Sequence, residues 1–168
     1  NLSNFPARTR SMPVPFGVSL VIGPWNYPYM LSLIPAISSL AAGNTVVLKP
    51  SEITSHSSEA LAKLINTHFP RELFYVQEGG VEETTALLEE KFDKIFFTGS
   101  SRVGRIVMKA AAEQLIPVTL ELGGKSSLLV LADADLDRAV ELACGGGFFN
   151  AGQMCSATSR VLVADELA

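Results

Sequence analysis

The sequence predicts an α/β fold: a doubly wound, mostly parallel sheet with helices on both faces. Three observations carry this expectation. Apolar, β-rich runs alternate with helical patterns along the chain. The runs GVSLVI (17–22), TVVL (45–48) and KIFFT (94–98) are mostly apolar, as strands covered on both sides are. Turn chemistry separates the two kinds of segment, with Gly23-Pro24 closing the first strand and Gly43-Asn44 ending the first helix.

Taken in order, residues 17–22 read as a buried strand and 28–42 as a mostly apolar helix. A second strand follows at 45–48. The helix at 55–68 carries Ala60, Leu61, Leu64 and Ile65 as its apolar set. Residues 73–76 are a short strand, 81–89 a short helix and 94–98 the next strand. The helix at 101–114 has Val103, Ile106, Val107 and Ala110 on one side. Strands at 118–121 and 127–131 come next. A helix then spans 135–148, capped by Asp135 or Asp133, and 160–163 is the last strand.

Composition narrows the function classes. The 168 residues suffice for one domain with a core, and 48% hydrophobic against 18% charged residues excludes a disordered chain. Mean hydropathy is +0.29, which suggests surface meant to be covered. A net charge of −4 with no basic run argues against nucleic-acid binding. The most apolar stretch, 31–42, is too short to span a membrane and contains Ser32, Pro35, Ser38 and Ser39. Two cysteines, Cys144 and Cys155, lie eleven positions apart with no nearby histidine, so no metal site is expected and a reducing, cytoplasmic setting fits. His56 and His68 read as surface or capping residues. Asn1-Leu2-Ser3 matches a glycosylation sequon at an intracellular-looking terminus. The chain begins at Asn1 rather than Met and stops just after a strand, so both ends read as cut.

Ligands of such sheets sit beyond the carboxyl ends of the strands. Gly99-Ser100-Ser101-Arg102-Val103-Gly104 follows one strand and opens a helix. Its glycines and free N–H groups suit a pyrophosphate, and equally suit a tight strand–helix turn. Lys49-Pro50-Ser51-Glu52 places a cation and a carboxylate where ribose hydroxyls are held, or else a solvated, capped turn. Arg102 and Arg105 read as solvated, with a cofactor 2′-phosphate as the alternative partner. Pro24-Trp25-Asn26-Tyr27-Pro28 offers Asn26 as an oxyanion donor or as an amide satisfying its own turn.

Glu121 precedes Gly123-Gly124, which allow its carboxylate to rotate. A carboxylate in apolar surroundings acts as a base near neutrality; the alternative is an exposed strand-end Glu. Cys155 in Gly152-Gln153-Met154-Cys155 is a nucleophile or a buried inert thiol, and Cys144 reads as the inert kind.

Together these segments resemble the aldehyde dehydrogenase superfamily. The resemblance rests on five runs in order. They are Ile22-Gly23-Pro24-Trp25-Asn26-Tyr27-Pro28, Gly43-Asn44-Thr45 through Glu52, Phe97-Thr98-Gly99-Ser100 through Gly104, Leu120-Glu121-Leu122-Gly123-Gly124-Lys125, and Gly152 through Cys155. Thirty-four positions separate Glu121 from Cys155, as in the family. Short connections around Gln77-Glu78-Gly79-Gly80 and Phe92-Asp93 most resemble the class 3 or fatty-aldehyde branch. Met154 and Ser101 stand where the family usually has Thr.

The resemblance implies a Rossmann-like cofactor domain over residues 1–150 and the start of a catalytic domain at 151–168, the remainder lying outside this sequence. It assigns NAD or NADP to Ile22, Trp25, Lys49, Glu52, Gly99, Ser100, Val103 and Leu122, with Glu52 favouring NAD. It makes Cys155 the nucleophile toward an aldehyde, Asn26 an oxyanion donor and Glu121 the base that activates water. The presence of Glu121 favours hydrolysis of the thioester over its transfer to coenzyme A. The full-length protein is then expected to be a homodimer or homotetramer. Two other readings stay open: a nucleotide-binding module without turnover as an isolated fragment, and a thiol esterase using Cys155 and Glu121 alone.

Overall fold

The computed structural model describes residue 6 and residues 10–167; the sequon at residues 1–3 lies outside them. The elements follow the expected alternation. They are β1 (Val18–Ile22), α1 (Met30–Ala41), β2 (Thr45–Lys49), α2 (Ser55–His68), β3 (Phe74–Val76), α3 (Val81–Glu89), β4 (Lys94–Gly99), α4 (Ser101–Glu113) and β5 (Val118–Leu122). Then come β6 (Ser127–Val130), α5 (Leu136–Phe148) and β7 (Arg160–Val163). Asp135, not Asp133, caps α5, its carboxylate accepting the Arg138 N–H at 3.0 Å.

The main sheet has the order β3-β2-β1-β4-β5, and all its pairs are parallel. Helices cover both faces, as the alternation predicts. Val21 points with Val46, Leu48 and Val76 toward α1 and α2, where Ala36, Leu61, Ala62 and Ile65 meet them. Leu20 and Ile22 point the other way, with Ile95 and Phe97, onto Leu88 of α3 and Val107 and Ala111 of α4. Period-two alternation in one strand thus feeds two cores. Each fully buried aliphatic side chain among them, Leu20 and Leu48 included, contributes about 1.5–3 kcal/mol.

Two expectations need correction. The buried stripe of α2 is Ser58, Leu61, Ala62 and Ile65, at helical spacing, so Ala60 and Leu64 face outward. Strand β6 does not extend the main sheet: it pairs in parallel with β7, and α5 crosses between them. SLLV and RVLV are apolar enough to be strands, but apolarity does not name a partner.

The β1–α1 turn is held by close packing. A Cβ on Gly23 would lie 2.1 Å from Ser32 Oγ and 3.1 Å from Ser32 Cβ. Ser32 is fully buried, and its hydroxyl lacks a hydrogen-bond partner among the described residues. Gly23→Ala is therefore expected to cost about 1–3 kcal/mol through overpacking, read from denaturant unfolding. Adding Ser32→Ala is expected to recover part of the loss, because it removes the clashing oxygen.

Candidate active site

Strand order reverses direction at β1, whose neighbours are β2 and β4. The chain leaves β1 toward one edge and later returns to β4 on the other side, so the loops after β1 and β4 diverge and leave a crevice. Two cavities open there, of about 790 Å³ and about 400 Å³. Both are bordered by Pro24 and Trp25 from the loop after β1 and by Thr98, Gly99 and Ser100 at the end of β4. These shared residues join the cavities into one cleft.

The larger cavity gathers Asn26, Glu121 and Cys155, three residues from distant parts of the sequence. Asn26 does not satisfy its own turn. Its Nδ2 donates to the carbonyl of Gln153 at 2.8 Å, while Asn150 Nδ2 donates to the Asn26 carbonyl at 3.4 Å. The Trp-Asn loop and the cysteine loop are thus pinned to each other across more than a hundred residues. One Asn26 amide hydrogen is used in this pairing and the second remains to donate.

The cysteine loop folds back on the end of α5. Asn150 and Ala151 both adopt left-handed backbone, with φ of 50° and 56°, and reverse the chain. Gly152 follows at φ 75°. The Thr158 N–H donates to the Gly146 carbonyl at 3.0 Å, an approach that the small residues at the end of α5 permit. Cys155 is exposed as a free thiol. Cys144 is exposed too, on α5, contrary to the expectation of a buried thiol: no residue of α5 is buried. It does not border the cleft.

Glu121 sits one residue before the end of β5, paired in register with Thr98 of β4. It is exposed rather than enclosed by apolar groups of this chain. Leu122, beside it, lines the same cavity and packs against Gly104, where a Cβ would come within 2.8 Å of Leu122 Cδ2.

The smaller cavity collects Ile22, Trp25, Lys49, Glu52, Gly99, Ser100 and Val103. Seven of the eight sequence-predicted cofactor residues therefore share one cavity, and Leu122 borders the adjoining one. Ser100 caps α4, its hydroxyl accepting the Val103 N–H at 3.3 Å. Ser51 caps the short turn Glu52–Thr54. The turn is capped, as one reading of this segment expects, but Lys49 and Ser51 are buried rather than solvated.

Lys49 is only 2% exposed at the end of β2. Its Nζ donates to the Pro50 carbonyl at 2.7 Å and lies 3.5 Å from Glu52 Oε2. Burial pushes the ammonium below its ordinary value of 10.5, and the Glu52 carboxylate partly draws it back. The folded chain thus sheds this proton before the unfolded chain does. The burial penalty is full below the folded-state value. As pH rises through that value toward 10.5 the unfolded state binds more protons, so this group's contribution to stability grows. Lys49→Met is expected to remove this gain, so that the variant's stability relative to the unmodified chain falls as pH rises toward 10.5. A difference that stays constant over that range would contradict this.

The aldehyde dehydrogenase family model, "Aldehyde dehydrogenase family", matches residues 4–168. The chain belongs to the aldehyde dehydrogenase family. It is 53% identical over 148 residues to the mouse (Mus musculus) protein "Aldehyde dehydrogenase, dimeric NADP-preferring", covering 88% of this chain and 33% of that protein. It is 48% identical over its whole length to "Aldehyde dehydrogenase family 3 member H1" of Arabidopsis thaliana, 35% of which it covers. Such relatives place this aldehyde dehydrogenase chain on the class 3 branch. In the solved structure "Substrate bound state of Staphylococcus Aureus AldH" the fold superposes with a TM-score of 0.89 at 46% identity, over 92% of this chain and 34% of that one. The chain spans about a third of the length of the curated relatives it matches.

Parts of the cleft come from residues outside the sequence-predicted set. Gly80, Val81, Thr84 and Thr85, at the start of α3, form a wall of the smaller cavity. The Gly79-Gly80 pair ahead of a helix was the available signal. Gln153 and Asn150, which join the two loops, carried none beyond their closeness to Cys155. Arg102 is exposed, as a solvated residue would be, and borders the smaller cavity, whereas Arg105 turns back to its own helix at Ser101.

Proposed function

We propose that the full-length protein oxidises an aldehyde to a carboxylic acid, using NAD or NADP, through a covalent intermediate on Cys155. One observation supports this above the others: Cys155, Glu121 and Asn26 border a single cavity that adjoins the one lined by Lys49, Glu52, Gly99 and Ser100. Cys155, Glu121 and Asn26 border only the larger cavity, Lys49 and Glu52 only the smaller, and Gly99 and Ser100 border both.

The second set fits a dinucleotide. Lys49 and Glu52 offer a cation and an acceptor to ribose hydroxyls, and the first turn of α4 behind Gly99 and Ser100 offers unpaired N–H groups to a pyrophosphate. Trp25, Ile22 and Val103 supply apolar wall. When bound, the nicotinamide supplies the hydride acceptor. The name of the mouse relative points to NADP, whereas Glu52 favours a free 2′-hydroxyl, so both cofactors belong to the proposal.

Within the chain, the Cys155 thiolate attacks the aldehyde carbon and forms a thiohemiacetal. The free amide hydrogen of Asn26 and the Cys155 N–H stabilise its oxyanion. Loss of hydride leaves a thioester on Sγ. Glu121 then takes a proton from water, which attacks the thioester carbonyl and releases the acid and the thiol. Glycines at 123 and 124, where an added Cβ meets nothing within 4 Å, leave the Glu121 backbone room to turn.

In this proposal residues 1–150 form the cofactor unit and 151–168 begin the catalytic one. A homodimer or homotetramer and a cytoplasmic location complete the reading. No helix among the described residues is long and apolar enough to cross a membrane. The isolated 168-residue chain is proposed to bind nucleotide without turnover, because Phe148 and Phe149, next to the cysteine loop, are 78% and 62% exposed among the described residues. Mixing aldehydes with NAD or NADP and following absorbance of the reduced cofactor tests both statements. Turnover is expected from the full-length protein alone; none from either cofactor would refute the activity.

A further inference from the structure

The smaller cavity is bordered by two cations and one carboxylate: Lys49, Arg102 and Glu52. Lys49 is already engaged by Glu52 at 3.5 Å and by the Pro50 carbonyl. That pair carries no net charge. Arg102, the second residue of α4, is exposed and forms no ion pair among the described residues. Arg105, one turn on, is directed at the Ser101 carbonyl and does not line the cavity. Arg102 is therefore the uncompensated charge on this wall.

We propose that Arg102 is a cofactor-specificity residue, which binds the 2′-phosphate of NADP. This rests on the reading of the smaller cavity as a dinucleotide site. A ribose held by Lys49 and Glu52 places its 2′ substituent beside a carboxylate. A hydroxyl there donates to Glu52. A phosphate cannot donate when ionised and is repelled by Glu52, so NADP needs a cation beyond Lys49. The guanidinium supplies it, with a planar fork that matches two phosphate oxygens. Glu52 and Arg102 together give the cavity one acceptor for the 2′-hydroxyl and one donor for the 2′-phosphate, which accounts for acceptance of both cofactors.

The test is a fluorescence titration of the full-length protein with NADPH and with NADH. In the Arg102→Ala variant the Kd for NADPH is expected to rise about 10- to 100-fold, the range of a lost charge-assisted hydrogen bond. The Kd for NADH is expected to stay within about twofold. Arg102→Lys is expected to restore part of the NADPH affinity, more at low salt than at high salt. Equal loss for both nucleotides would show a general or stacking role and overturn the proposal, as would no loss for either. Unmodified protein that binds only NADH would also overturn it while leaving the dinucleotide site standing. Unmodified protein that binds neither would refute the site itself.

Discussion

Cys155→Ala in the full-length protein is expected to lower aldehyde-dependent reduction of NAD or NADP at least about a thousandfold, because the covalent route runs through this thiol. The other thiol in this chain, Cys144, lies on α5 away from the cleft. Cys144→Ala is the matched control and is expected to keep turnover. Binding of reduced cofactor by Cys155→Ala, followed by fluorescence, separates lost chemistry from lost folding, since Cys155 borders only the larger cavity. Full turnover in the Cys155 variant would remove the thiol from the mechanism. Residual ester hydrolysis in it would separate the oxidation from an esterase that uses other groups.

Glu121→Gln is expected to split the reaction into its two halves. The amide keeps the size of the side chain and removes the base. Hydride loss needs only Cys155 and the amide donors, so the first turnover is expected to survive as a burst of one reduced cofactor per site. Thioester hydrolysis needs a base for water, so the steady-state rate is expected to fall about 10²- to 10⁴-fold. Rapid-mixing absorbance reads both phases. The burst is the informative part. If Glu121 instead removed the proton from the Cys155 thiol, the burst itself would vanish. The position of Glu121 at an exposed strand end, followed by two unconstrained glycines, favours contact with solvent water.

Much of the fold was readable because β1, β2 and β4 are buried on both faces, and such strands must be apolar nearly throughout. The site was readable for a related reason. In a parallel sheet the functional loops all leave the same edge, so Asn26, Glu52, Ser100 and Glu121 fall at strand ends that periodicity locates. Partner choice was less legible. β6 resembles a core strand in composition, yet pairs with β7 through a crossover helix. In α2, Leu61 and Ile65 fit two overlapping faces, and only packing against the sheet selects Ser58 and Ala62 over Ala60 and Leu64. The exposure of Cys144 was not legible, because the composition of α5 does not show that none of its residues is buried within this chain. The Asn26–Gln153 and Asn150–Asn26 hydrogen bonds were invisible, because neither turn reveals in sequence that it faces the other.

The most direct measurement is the identity of the acylated residue. Full-length protein carrying Glu121→Gln is mixed with an aldehyde and NAD or NADP, quenched in acid, digested and mapped by mass spectrometry. The expected product is a thioester on Cys155, heavier than the free thiol by the mass of the aldehyde less one hydride and one proton. Adduct on Cys144, or cofactor reduction with no adduct on Cys155, would contradict the assignment of Cys155 as the acyl-carrying nucleophile.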